Sequence, residues 1–163
     1  MRVVAWIVEG TWPAVVDAAR THAPDDAEIV LLHVTDPGTP QLAHASYAAL
    51  LGRGHRERDP GTRLEHLAAT TAANLLDAAA DRLGRPTTRS ERAGRPEREV
   101  LGAAGDAGML ILARDGDRSR LGPKSLARAS RFILDHAPCP VLLVWPGSAP
   151  DLSTLPPPPP HQG

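Results

Sequence analysis

The sequence lacks the material for several kinds of protein. Its one cysteine, Cys139, can close no internal disulfide and build no cysteine-based zinc site, which fits a reducing compartment. No charge of one sign is in excess. With 18 Lys and Arg against 19 Asp and Glu the formal net charge is -1, so no global field draws a polyanion or an acidic membrane surface. No apolar run approaches the roughly 20 residues that a membrane helix requires. The apolar opening at 3–8 passes at once into Glu9 and Gly10, too short for a signal segment with its cleavage site. These absences predict a soluble, cytoplasmic protein with neither nucleic acid nor membrane among its partners. Catalytic signatures are equally scarce. Without a GxSxG elbow, an HExxH pair or a paired-carboxylate signature, the residues specify no reaction and no metal site.

What is present is a repeating framework. Four short apolar runs, VVAWIV (3–8), IVLLHV (29–34), MLILA (109–113) and VLLVW (141–145), read as strands. Each is apolar on nearly every residue rather than on alternate ones, so both faces of the sheet must be covered. That pattern belongs to a parallel sheet between layers of helices. The intervening segments read as helices. One opens at Thr11-Trp12-Pro13, with the Thr11 hydroxyl as cap and proline in the first turn. The longest, over about 63–83, sets Leu64, Leu67, Leu75, Leu76 and Leu83 near one face and closes at Gly84 and Pro86. A third opens at Pro96 with Glu97 and Glu99 in its first turn and ends near Gly105. The last, over about 124–136, turns Leu126, Ala129, Ile133 and Leu134 to the sheet and stops before Pro138.

A fifth strand is needed within the polar TTRSERAG (87–94) to let the crossovers run parallel. The predicted fold class is therefore α/β, an open parallel five-stranded sheet with helices on both faces, over 1–146. A proline-rich tail over 147–163 carries the run Pro156, Pro157, Pro158, Pro159 and Pro160 and reads as extended polyproline-II or disordered chain. Between 36 and 62 lies a Gly-, Pro- and His-rich insertion with a short helix expected at 44–51.

In an open parallel sheet, ligands bind beyond the carboxyl ends of the strands, where the strand order reverses. Those ends are Glu9-Gly10-Thr11, Thr35-Asp36 and RDGDRSRLGPKS (114–125). The last holds Arg114, Arg118, Arg120 and Lys124, and it feeds the amino end of a helix, where unpaired N–H groups favour an anion. Against this, Asp115 and Asp117 neutralise part of the charge. The loop also mimics a P-loop, but five residues instead of four separate Gly116 from Gly122, and Pro123 removes a backbone donor. His33, inside an apolar run, reads as a hydrogen-bonded core or strand-end histidine. His136, at a helix end, complements the dipole, and Cys139 between two prolines reads as a small packed residue.

Three stretches in order, AEIVLLHVTDP (27–37), GRPEREVLGAAGDAGMLILA (94–113) and SRFILDHAPCPVLLV (130–144), resemble the universal stress proteins, as does the opening VEGTWPAVVDAA. The resemblance covers most of 2–146. It implies a homodimer paired through the last strand, here Val141, Leu142, Leu143 and Val144, and in one branch a bound ATP. That branch carries a Gly-x2-Gly-x9-Gly-Ser/Thr signature after the fourth strand. Its nearest match here places Ala113 and Gly116 at the first two glycines and Ala127-Arg128 at the final pair, with ten intervening residues. Glu9 stands where the family has an aspartate at the adenine end, and Val34 agrees with the position whose backbone meets the base. Glu9, Gly10, Thr11, Val34, Ala113, Arg114, Gly116, Arg118, Lys124, Ser125, Ala127 and Arg128 are thus the candidate ligand-binding residues. Cβ atoms at Ala113 and Ala127 and the Arg128 side chain crowd the triphosphate approach that glycine allows. Three readings stay open: a nucleotide- or anion-binding stress-response module without catalysis, an interaction module with a vestigial pocket, and a weak ATP hydrolase of the related adenine-nucleotide superfamily.

Overall fold

Successive side chains of a strand point to opposite faces, so an unbroken apolar run demands cover on both. The computed structural model describes residues 1–38 and 60–160 and meets that demand. Strands β1 (Arg2–Trp6), β2 (Glu28–Thr35), β3 (Thr88–Ala93), β4 (Met109–Ala113) and β5 (Val141–Val144) form one sheet in the order β3-β2-β1-β4-β5. Every pairing is parallel. Central β1 sets Val4 between Val30 of β2 and Leu110 of β4. Helices α1 (Trp12–His22) and α2 (Pro60–Leu83) cover one face, and α3 (Pro96–Ala104) and α4 (Arg128–His136) the other. The sequence periods split accordingly. Val3, Ala5 and Ile7 pack beneath α1 and α2 with Val15, Val16, Leu76 and Leu83. Val4 and Trp6 pack beneath α3 and α4 with Val100, Ala104 and Ile133.

The polar fifth strand is β3, and its composition follows from its place. It pairs with β2 alone and leaves most of its side chains exposed or half-buried, so polar residues blunt an open edge. Arg89 reaches Asp77 of α2 at 3.0 Å from this edge.

Three sequence expectations are corrected. Thr11 precedes α1, but its side chain makes no capping hydrogen bond; the residue is buried and the turn is closed by backbone N–H groups of Thr11 and Trp12 donating to the Val8 carbonyl. In α2 the buried residues are Gly61, Ala72, Leu76, Ala79 and Leu83, while Leu64 and Leu67 are exposed and border an open pocket with His33, Thr35 and Asp36 at the end of β2. The last helix does not run from 124. Pro123–Ser125 form a separate 3-10 turn, Leu126 and Ala127 are extended, and α4 starts at Arg128. The short helix expected at 44–51 lies outside the described residues.

Helices α1 and α2 are joined by one ion cluster. Asp17 accepts from Arg82 Nε and Nη2 at 2.9 and 2.8 Å and from Arg20 Nη2 at 3.1 Å. The hydrogen-bonded Arg82 guanidinium holds the Asp17 carboxyl below its ordinary value of 3.8, so its contribution to stability is present above that value and lost as the pH falls through the folded one. The pair is half exposed, and screening keeps it small. Asp17→Asn is expected to lower unfolding free energy by about 0.5 kcal/mol at neutral pH. In urea titrations that difference should shrink below the ordinary carboxylate range and vanish once the folded carboxyl is protonated.

Candidate functional site

Parallel strands collect their carboxyl ends, and the amino ends of the helices that follow, along one edge of the sheet. The order reverses there between β1 and β4. Glu9 and Gly10 are exposed at the tip of β1, where Gly10 takes φ +86°, a conformation that favours glycine. The long loop after β4 reaches this tip, with Arg118 Nη2 lying 3.5 Å from the Gly10 carbonyl. Val34 is buried in the core beneath α3.

The loop itself is folded on its own atoms. Gly116 N–H donates to the Ser125 carbonyl at 2.9 Å and Asp117 N–H to that of Lys124 at 2.8 Å, which zips the two limbs together. A Cβ on Gly116 would collide with the Lys124 carbonyl, so this glycine serves the chain's own close approach. Arg114 donates to Ser125 Oγ and stacks its guanidinium 4.8 Å from the centroid of Trp145. Ser125 is fully buried and donates to the Gly122 carbonyl at 2.6 Å. Hydrogen bonds from the Ser119 hydroxyl and N–H, with smaller help from Arg120 and Lys124, hold the Asp117 carboxyl below its ordinary range.

Asp115 does most to define the site. Its carboxylate accepts from Ala127 N–H at 2.8 Å and from Ser130 Oγ at 2.7 Å. The amino end of α4, the place a phosphate would be drawn to, therefore carries a carboxylate supplied by the chain. The same contact explains why the helix starts at Arg128: Ala127 is held extended as its N-cap. In sequence Asp115 reads only as a charge that partly cancels its neighbours, because nothing local ties it to residues 12 and 15 positions onward.

Beside this capped end lies a groove of about 720 Å³ between α3 and α4, lined by Arg95, Glu97, Arg98, Arg128, Ala129 and Phe132. Arg128 was a sequence candidate; Arg95, Arg98 and Phe132 were not, since only the packing of α3 against α4 brings them opposite it. Arg95 Nε stands 3.4 Å from Glu97 Oε1. Phe132 is 46% exposed, and its ring stacks on His136 with centroids 4.1 Å apart. His136 Nδ1 lies 2.8 Å from the Phe132 carbonyl and donates to it. Burial pushes the Cys139 thiol up, away from the thiolate a nucleophile needs. His33 Nδ1 lies 2.8 Å from the Ile7 carbonyl and donates to it, a strand-end histidine. Among the described residues, no three His, Cys, Asp or Glu side chains gather as metal ligands, and no helix is long and apolar enough to cross a membrane.

The fold and this edge define an α/β domain of the open, ligand-cleft class. The model of the universal stress protein family matches residues 8–144, and the chain belongs to that family. A search of curated proteins finds no match. Among solved structures, the universal stress protein UspA of Lactobacillus plantarum is 16% identical with a TM-score of 0.57, over 88% of this chain and 96% of that one. A universal stress protein in complex with cAMP is 15% identical with a TM-score of 0.58, over 90% and 98%. A family protein of Arabidopsis thaliana with AMP bound is 14% identical with a TM-score of 0.51, over 96% and 95%. At these identities the likeness establishes the fold.

The triphosphate pose that the family's glycine signature serves does not fit this loop. The backbone donors of Gly116 and Asp117 are engaged by the chain's own carbonyls, and that of Ala127 by Asp115. Asp115→Ala should therefore act on stability, since it leaves a backbone N–H and the Ser130 hydroxyl without their acceptor. A loss of about 1–2 kcal/mol is expected in denaturant unfolding, the range for deleting a helix cap. Unchanged stability would mean that the carboxylate does not hold the helix.

Proposed function

We propose that this protein is a non-catalytic stress-response module that binds a small phosphate-bearing ligand, an adenine nucleotide in the first instance, through guanidinium side chains. The observation that carries this reading is the α3–α4 groove, which Arg95, Arg98 and Arg128 line with one carboxylate, Glu97. Guanidinium groups offer planar, bidentate donors to phosphate oxygens, and they need no glycine backbone. The exposed ring of Phe132 supplies an apolar surface at the same groove for a base. That relatives of this fold hold AMP and cAMP supports a nucleotide as the ligand. The assignment to stress response rests on family membership, and the lone thiol fits the cytoplasm.

Titration calorimetry of the full chain with ATP, ADP and AMP tests the ligand. Saturable binding to at least one is expected, weakening as salt rises. Replacing both Arg98 and Arg128 by alanine should reduce affinity at least ten-fold, about 1.4 kcal/mol. No heat from any of the three at millimolar concentration would refute the reading.

The reading includes a homodimer through β5. Val141, Leu142, Leu143 and Val144 are all half-buried on an edge strand, an apolar edge that a second copy can cover. Sedimentation equilibrium should give twice the chain mass, and Leu143→Asp should shift the protein toward monomer. A wild-type chain that stays monomeric at every concentration would count against pairing.

A further inference from the structure

The proline run is not absorbed by the nucleotide reading, and the structure gives it a definite setting. After β5 the chain folds into a 3-10 turn at Leu152–Thr154, which Asp151 caps by accepting from Ser153 N–H at 2.8 Å. Thr154 then joins this turn to the loop after β4: its hydroxyl accepts from Leu121 N–H at 3.0 Å. The base of the run is thus tied to the body of the domain. Beyond it, Leu155 enters the run at φ -63° and ψ 132°, close to polyproline-II values. Each residue from 155 to 159 precedes a proline, which disfavours the α region, and each proline locks its own φ. The segment is therefore held extended without internal hydrogen bonds.

All five prolines are exposed. So are the two leucines at the base, Leu152 at 73% and Leu155 at 55%. Leu152 opens the 3-10 turn and Leu155 caps its carboxyl end, its N–H donating to the Leu152 carbonyl at 3.1 Å, so the two exposed leucines lie one turn apart. In the run, with three residues per turn, Leu155 aligns with Pro158, and Pro156 with Pro159. The result is an apolar, pre-extended ridge whose ordering cost on binding is already largely met. No Lys or Arg occurs from 147 to 160, and the Asp151 carboxylate is engaged in the cap. Its recognition therefore requires aromatic side chains rather than an acidic pocket.

We propose that residues 152–160 are a docking ridge for a partner protein whose groove is lined with aromatic side chains and reads polyproline-II ligands without a basic anchor. The probes are one recombinant EVH1-class domain and one WW-class domain, titrated calorimetrically against the full chain. Saturable binding to at least one is expected. The combined Pro157→Ser, Pro158→Ser and Pro159→Ser variant, whose changes lie outside the packed sheet and helices, should weaken it at least ten-fold while leaving phosphate-ligand binding unchanged. Absence of binding to both domains, or binding that survives the triple exchange, would overturn the proposal. Neither outcome bears on the arginine groove, which the nucleotide titrations test separately.

Discussion

Two-sided burial of a parallel sheet is the constraint on which everything else in this domain depends. A strand that is apolar on consecutive residues exposes oily surface on whichever face is left bare, so helices must cover both. Covering both faces with short crossovers forces the strands to run the same way. That in turn gathers the carboxyl ends of β1, β2 and β4 and the amino ends of α1, α3 and α4 along one edge. The Val4 position shows the logic on the scale of a residue: fully buried, flanked by Val30 and Leu110, it can exist only where a sheet continues on either side and a helical layer closes over it.

At the carboxyl edge of the sheet, the same physics that makes a helix amino end attractive to phosphate is satisfied from within. Asp115 supplies the negative charge, Gly116 allows the two limbs of its loop to touch, and Ser125 and Arg114 lock the turn against Trp145. The loop has become a structural clasp. A second set of cations lies to one side, in the groove between α3 and α4, which Arg95, Arg98 and Arg128 line together with Glu97.

Strands with apolar character were legible residue by residue, and so was the crossover pattern. Even the polar β3 could be inferred, though from topology and not from its own residues, because an edge strand needs no hydrophobic pattern. Helix ends were less legible. Thr11 has the right chemistry for a cap, but its backbone turn is closed by the Val8 carbonyl instead. Leu64 and Leu67 share the helical period of the core yet stay exposed beside an open pocket at the end of β2. Periodicity reports which residues share a face and is silent on how far the neighbouring layer extends.

The sequence by itself determined the class of fold, the number and direction of the strands, and the family. These follow from composition and short-range period, which act within a few residues. Only the tertiary structure decided that Asp115 reaches Ala127 and Ser130, that Gly116 makes room for Lys124 and Ser125, that Arg95 and Arg98 face Arg128, and that Thr154 joins the loop at Leu121. Each of these unites positions with no local signal in common. They meet because burying both faces of the sheet leaves the intervening chain one place to go.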